Sequence, residues 1–193
     1  INLCFQCATC SASCPFGRMT SFQIRRLIRR TQLGFRDKVL SDKNLWLCTT
    51  CYTCAHRCPR DANPMEILIG MRSLAVEEGL VPRTLGDALE GVYKYGNPWG
   101  LSRSKRYDWA QDLKVKYVSE GEKVELLYFV CCAACYDSRA QEIAKATVKN
   151  LNALGIDFSM LGNKENCCGN EIYSLGEKGL FKELVDKNLG LFD

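Results

Sequence analysis

Apolar residues recur at helical spacing through the first half of the chain. Ile24, Leu27 and Ile28 share one face, Thr20 and Gln23 form a capping-box pattern ahead of them, and Gly34 fits the stop. A second stretch repeats the design. Asn63 suits the N-cap, Pro64 the first helical position and Glu66 the third, with Ile67, Met71, Leu74 and Ala75 giving the period and Gly79 the stop. Residues 35–47 predict a partly helical segment with Ser41 as a cap. Leu85–Tyr95 predicts a helix broken by Gly96-Asn97-Pro98, and Ser104–Leu113 another, before a turn at Gly121.

The pattern changes at Val124. Val124–Val130 predicts a buried strand. Asp137–Leu154 predicts a helix with Ile143, Ala144, Thr147, Val148 and Leu151 on one face, ended by Gly155. Asp157–Leu161 predicts a second strand. That order is a βαβ unit, so the strands should be parallel with a right-handed crossover. The expected fold class is α+β, with a helical module at 1–80, a helical connector at 81–120 and an α/β module at 121–193.

Composition changes this picture in one respect. The 193 residues contain 13 Cys, far above ordinary usage. Disulfide-dense secreted domains are usually shorter, and the odd count argues against full pairing. The longest apolar run, Leu126 to Cys135, is half of the roughly 20 residues a membrane span needs. No signal-peptide pattern is visible, although the sequence starts at Ile1 rather than Met, so a segment could precede it.

The cysteines are ordered. Cys4, Cys7, Cys10, Cys14 and Pro15 recur as Cys48, Cys51, Cys54, Cys58 and Pro59, every offset being 44 residues. This C-x₂-C-x₂-C-x₃-C-P run supplies four soft thiolates for a [4Fe–4S] cluster, and the fourth Cys ligates the other cluster of a two-cluster protein. Cluster one is expected on Cys4, Cys7, Cys10 and Cys58, and cluster two on Cys48, Cys51, Cys54 and Cys14. Zinc needs only four ligands and does not call for three consecutive C-x₂-C steps. The formal charge of +4 counts thiols as neutral. Each cluster with four thiolates carries about −2, so the basic balance compensates clusters and is no nucleic-acid footprint. Arg25, Arg26, Arg29 and Arg30 read first as a solvated face that also balances cluster charge, and otherwise as a docking site for an acidic redox partner or an anionic substrate. His56, the single histidine, sits inside the second loop with all four Cys already present and is expected at the surface. Trp46 is expected to pack over a cluster, and Trp99 and Trp109 to be core or interface residues. There is no Gly-rich dinucleotide loop, so NAD and flavin binding are not expected of this chain.

A second constellation follows the expected strands: Cys131, Cys132 and Cys135 after the first, Cys167-Cys168-Gly169 after the second. Open α/β sheets place sites at such strand ends. Cys132-x₃₄-Cys167-Cys168-Gly169 resembles the first part of the CCG domain of heterodisulfide reductases and related iron–sulfur oxidoreductases. In that family the pattern continues with a C-x₂-C, which would lie beyond Asp193. The N-terminal half resembles the small ferredoxin-like subunit of heterodisulfide reductase, through Cys4-Phe5-Gln6-Cys7-Ala8-Thr9-Cys10, Cys14-Pro15, Arg18 and the helix with Arg25, Leu27, Ile28 and Arg29. Gly96-Asn97-Pro98-Trp99-Gly100 and Tyr128-Phe129-Val130 resemble relatives that fuse both modules.

The resemblance implies two [4Fe–4S] clusters feeding a noncubane [4Fe–4S] cluster at Cys132, Cys167 and Cys168, where a disulfide is reduced. It also implies redox partners, either a membrane cytochrome b or a soluble flavoprotein, and an anaerobic, reducing cytoplasm with membrane attachment only through a partner. A relay without its own substrate, in a quinone-linked membrane complex, is the alternative. Two positions depart from the family pattern Gly-Cys-x-x-Ser-Tyr-Asp: Cys131 stands at the Gly and Cys135 at the Ser.

Overall fold

The computed structural model describes residues 1–119 and 122–192. The chain forms two compact units, Ile1–Val81 with Asn170–Gly179, and Pro82–Gly169 with Leu180–Asp193. The expected turn at Gly121 lies outside the described residues.

The first unit is helical. It holds α1 (Thr9–Ala12), α2 (Ile24–Gln32), α3 (Arg36–Leu40), α4 (Thr53–His56) and α5 (Pro64–Glu77), with 3-10 turns at Phe16–Arg18 and Lys43–Leu47. α2 buries Ile24, Leu27 and Ile28 and exposes Arg25, Arg26 and Arg29. Its capping box does not form. The helix starts at Ile24 with no side-chain cap, because the Thr20 hydroxyl donates to the Phe16 carbonyl at 2.9 Å and accepts from Phe22 N–H at 3.2 Å. That local turn competes with capping. Gly34 ends the helix at φ +75°, and Phe35 N–H donates to the Arg30 carbonyl.

α5 starts as expected, with Asn63 accepting from Glu66 N–H at 3.4 Å and Pro64 in the first turn. Its buried face is rotated from the expected stripe. Met71 and Ala75 are buried as expected, but Leu74 is exposed and Ile67 half-buried, and Leu68 and Arg72 face the core. Arg72 explains the rotation. Its guanidinium donates to the carbonyls of Leu45 (3.0 Å), Cys48 (2.8 Å) and Ser174 (2.6 Å), so a charged residue takes a core position by satisfying three backbone acceptors. Ser41 lies at the C-terminal end of α3, and Asp42 caps the next turn by accepting from Asn44 N–H.

The second unit begins with α6 (Arg83–Tyr95), ended by Gly96 at φ +72°. The helix expected over Ser104–Leu113 is instead two 3-10 turns, Arg103–Lys105 and Asp108–Ala110. Ser, Asp, Tyr and Trp favour helix interiors weakly, and Ser102 ties its hydroxyl to Ser104 N–H. β1 (Lys116–Tyr117), α7 (Cys131–Tyr136), α8 (Ser138–Ala153) and β2 (Ser159–Met160) follow; α9 (Asn170–Ser174) belongs to the first unit, and α10 (Lys178–Phe192) lies in the second from Leu180 onward.

The sheet is smaller than expected. β1 pairs in parallel with β2, and the Val124–Val130 strand is reduced to one parallel bridge between Leu127 and Ser159. Tyr128 N–H donates to the Ser159 carbonyl, and Ser159 N–H to the Leu126 carbonyl. The expected parallel relation across α8 therefore holds at this bridge. The continuous strand does not, since Leu126 is 39 % exposed and lacks the cover that a buried strand needs. α8 starts at an Asp137 cap that accepts from Ala140 N–H at 2.8 Å. Ala144 and Val148 are buried, but Ile143 is 68 % exposed and leaves the expected face. Tyr107, Trp109, Val130, Cys135, Phe158 and Met160 complete this core.

Candidate metal centres

The 44-residue repeat is a structural repeat. Gln6 and Ala8 adopt positive φ (68° and 71°), as do their counterparts Thr50 and Tyr52 (53° and 60°). Left-handed backbone at non-Gly residues costs about 1–3 kcal/mol each and persists only where the surroundings impose it. Here it bends each loop between successive Cys and brings N–H groups toward sulfur. Thr50 N–H donates to Cys48 Sγ and Gly17 N–H to Cys14 Sγ, each at 3.4 Å, and Ala62 N–H to Cys58 Sγ at 3.2 Å. Cys7 and Cys51 each meet the Thr two residues on, Thr9 at 3.3 Å and Thr53 at 3.4 Å. These hydroxyls pull both thiols below their usual pKa. Burial acts oppositely on Cys10 and Cys48, and pushes Cys54 up to about 12.

The eight cysteines of the repeat surround two cavities. Cys4, Cys7, Cys10 and Cys58 line one with Pro59, Ala62 and Pro64. Cys14, Cys48, Cys51 and Cys54 line the other with Phe16, Phe22, Ile24 and Met65. Each cavity thus takes three thiols from one copy and the fourth from the other. Four thiols spaced around each apolar cavity fit a cluster. Arg25 and Arg60 line the first cavity, where their charge offsets that of thiolates. His56 is exposed and lines neither cavity. Trp46 also lines neither, contrary to expectation: it packs on the helical core with the Arg72 guanidinium 5.6 Å from its ring centre.

In the second unit Cys132 and Cys167 are buried and Cys168 half-buried. Their thiols form a ring with that of Cys131. Cys131 Sγ lies 3.5 Å from Cys168 Sγ, and Cys131–Cys132, Cys132–Cys167 and Cys167–Cys168 are the other interacting pairs. Sharing protons around the ring lowers the Cys131 pKa to about 2, raises that of Cys132 to about 11, and drives that of Cys167 up. Gly169 N–H donates to Cys167 Sγ at 3.4 Å. Cys135 stands apart in the apolar core, with its pKa raised by burial to about 12.

A buried network holds the ring. Glu165 is fully buried. Its Oε1 accepts from Arg106 Nη2 and from Cys131 N–H, both at 2.8 Å. Its Oε2 accepts from Tyr107 Oη at 2.8 Å and Val130 N–H at 3.0 Å. Arg106 Nη1 and Nη2 lie 3.7 and 3.6 Å from Cys132 Sγ. Burial disfavours the Arg106 charge, but the Cys135 and Cys132 thiols and Glu165 outweigh it and raise its pKa. Burial and the Glu165 carboxylate hold Tyr107 neutral well above the usual phenol range. Asn97 is also fully buried. It knits the Gly96–Leu101 turn by accepting from Trp99 and Leu101 N–H and donating to the Tyr95 and Leu101 carbonyls. That turn presents the Gly96 carbonyl to the Cys132 thiol at 3.5 Å.

Arg106, Glu165 and Tyr107 carry no sequence signal of their own. They lie in segments read as connector and loop, and only burial marks them. The turn around Asn97 was legible as a resemblance, without its role.

Comparison with known families gives two matches: a 4Fe-4S dicluster domain over residues 1–62 and a cysteine-rich domain over residues 126–193. The chain is 36 % identical over 163 residues to the probable iron-sulfur-binding oxidoreductase FadF of Bacillus subtilis (strain 168), covering 80 % of this chain and 23 % of that protein. It is 30 % identical over 161 residues to the EtfAB:quinone oxidoreductase of Syntrophomonas wolfei, covering 80 % of this chain and 22 % of that protein. It is 47 % identical over 97 residues to an iron-sulfur subunit of the CoB–CoM heterodisulfide reductase of Methanocaldococcus jannaschii, covering 50 % of this chain and 52 % of that protein. The chain therefore spans under a quarter of the first two relatives and about half of the third.

Proposed function

We propose that this chain, a 4Fe-4S dicluster domain joined to a cysteine-rich domain and akin to an iron–sulfur subunit of heterodisulfide reductase and to related iron–sulfur oxidoreductases, is the electron-delivering part of an enzyme that reduces a disulfide at its cysteine-rich site. [4Fe–4S] clusters supply one-electron transfer, and two in series suit a reaction needing two electrons delivered singly. Cys4, Cys7, Cys10 and Cys58 would hold one, and Cys14, Cys48, Cys51 and Cys54 the other. Backbone N–H groups at Gly17, Thr50 and Ala62 and the Thr9 and Thr53 hydroxyls stabilise their thiolates. At the second site Arg106 offsets thiolate charge beside Cys132, and Glu165 fixes both Arg106 and the backbone of Cys131.

The observation that carries this reading is the grouping of Cys132, Cys167 and Cys168 beside a buried cation. A structural disulfide pair or an inert core would not need a buried charge. The test is EPR of the oxidised protein, anaerobic, before and after adding a thiol. A new signal that is lost in Cys132→Ala supports the reading, and no change on thiol addition overturns it.

A second reading is a relay that hands electrons between a quinone-linked partner and another redox enzyme. The relatives matched over 80 % of this chain favour it, since one is named an EtfAB:quinone oxidoreductase. A partner such as a membrane cytochrome b or a soluble flavoprotein then completes the complex. Among the described residues no helix is long and apolar enough to cross a membrane, so attachment through a partner fits both readings.

A further inference from the structure

We propose that Cys131 is a cluster ligand beside Cys132, Cys167 and Cys168 in the iron–sulfur site of the cysteine-rich unit. The proposal rests on the reading that this unit holds a cluster, and adds a ligand at a left-handed backbone position.

The first argument is conformational. Cys131 sits at φ +68°, where Gly is free of strain and a side chain costs about 1–3 kcal/mol. A Gly in the family pattern is what this backbone asks for. A Cys there gives up stability unless its thiol gains something in return.

The second argument is direction. The Cys131 thiol turns into the ring, 3.5 Å from Cys168 Sγ and interacting with Cys132. Cys135 lies one turn further along the same helix, and is 1 % exposed among Tyr107, Trp109 and Phe158. The second departure from the family pattern therefore behaves as a packing residue, and the first does not.

The third argument is the cradle. Glu165 fixes the strained backbone through Cys131 N–H at 2.8 Å and Val130 N–H at 3.0 Å, and so sets where the thiol points. Gly169 N–H meets Cys167 Sγ at 3.4 Å, as Thr50 N–H meets Cys48 and Gly17 N–H meets Cys14. A four-thiolate cluster carries about −2. Arg106, 3.6 Å from Cys132 Sγ, supplies a buried counter-charge, which an apolar pocket of neutral thiols would not require.

The test compares Cys131→Gly, Cys132→Ala and Cys135→Ala with the parent in the full protein. Iron, acid-labile sulfide and EPR are measured anaerobically, with circular dichroism to follow the fold. Gly suits the left-handed position, so Cys131→Gly should fold at least as well as the parent. The expected result is loss of about four irons per chain in both Cys131→Gly and Cys132→Ala, with Cys135→Ala retaining them. Iron lost in Cys132→Ala but retained in Cys131→Gly, with unchanged EPR, overturns the proposal alone. Iron unchanged in Cys132→Ala overturns the reading of the site and the proposal with it.

Discussion

Replacing Glu165 by Gln keeps its shape and removes its charge. In the native site two carboxylate oxygens accept from four donors: Arg106 and Cys131 N–H on one, Tyr107 and Val130 N–H on the other. Glutamine offers one oxygen and one amide nitrogen, so two donors lose their acceptor and meet a third donor instead. Arg106 and Glu165 are 1 % and 0 % exposed, so water cannot take over. Breaking a buried pair from one side costs about 3–5 kcal/mol, and two orphaned donors at about 1–3 kcal/mol each give the same range. Amide exchange of Val130 and Cys131, read by mass spectrometry on peptides spanning 126–136, is the assay. A loss of about 3–4 kcal/mol accelerates local exchange by about 10²–10³. Glu142→Gln breaks an exposed pair with Lys145 and should leave this peptide unchanged. Exchange in Glu165→Gln within a factor of about two of the parent would refute the claim that this carboxylate holds the loop.

Crossed ligation has its own signature. Cys4→Ser and Cys58→Ser should each remove about four irons and the double variant no more, whereas uncrossed ligation makes the double lose about eight. Arg72→Met should lower the stability of the first unit by about 2–4 kcal/mol in denaturant titration, since three carbonyls lose their donor; an unchanged midpoint contradicts this. Tyr107 is held neutral above its unfolded value of about 10, so its contribution is complete below that pH and is lost as pH rises toward the folded value. Tyr107→Phe should therefore leave the tyrosinate absorbance gained up to about pH 10.5 unchanged, and a drop of one phenolate's worth would show that Tyr107 is accessible.

The cysteine loops were legible because spacing encodes them: the thiols recur at fixed intervals, and after 44 residues the run repeats. Helix ends with local chemistry were legible too, at Asn63-Pro64, Gly34, Gly96 and Asp137. What failed was whatever depends on distant partners. Arg72 takes a core position because the carbonyls of Leu45, Cys48 and Ser174 are there to receive it, which no periodicity announces. The Val124–Val130 strand reads as buried from composition, but too little covers it to extend beyond one bridge. At the second site the cysteines were visible, while Arg106 and Glu165, 59 residues apart, were not. Cys131 was visible only as a departure from the resemblance, and its positive φ marks a position that suits Gly.

Whether the two four-cysteine cavities hold [4Fe–4S] clusters is decided by anaerobic iron and acid-labile sulfide quantitation, with EPR of the dithionite-reduced protein. The expected result is about eight irons and eight sulfides per chain or more, with the broadened signal of two interacting reduced clusters. Zinc in place of iron, or iron without sulfide, would contradict it.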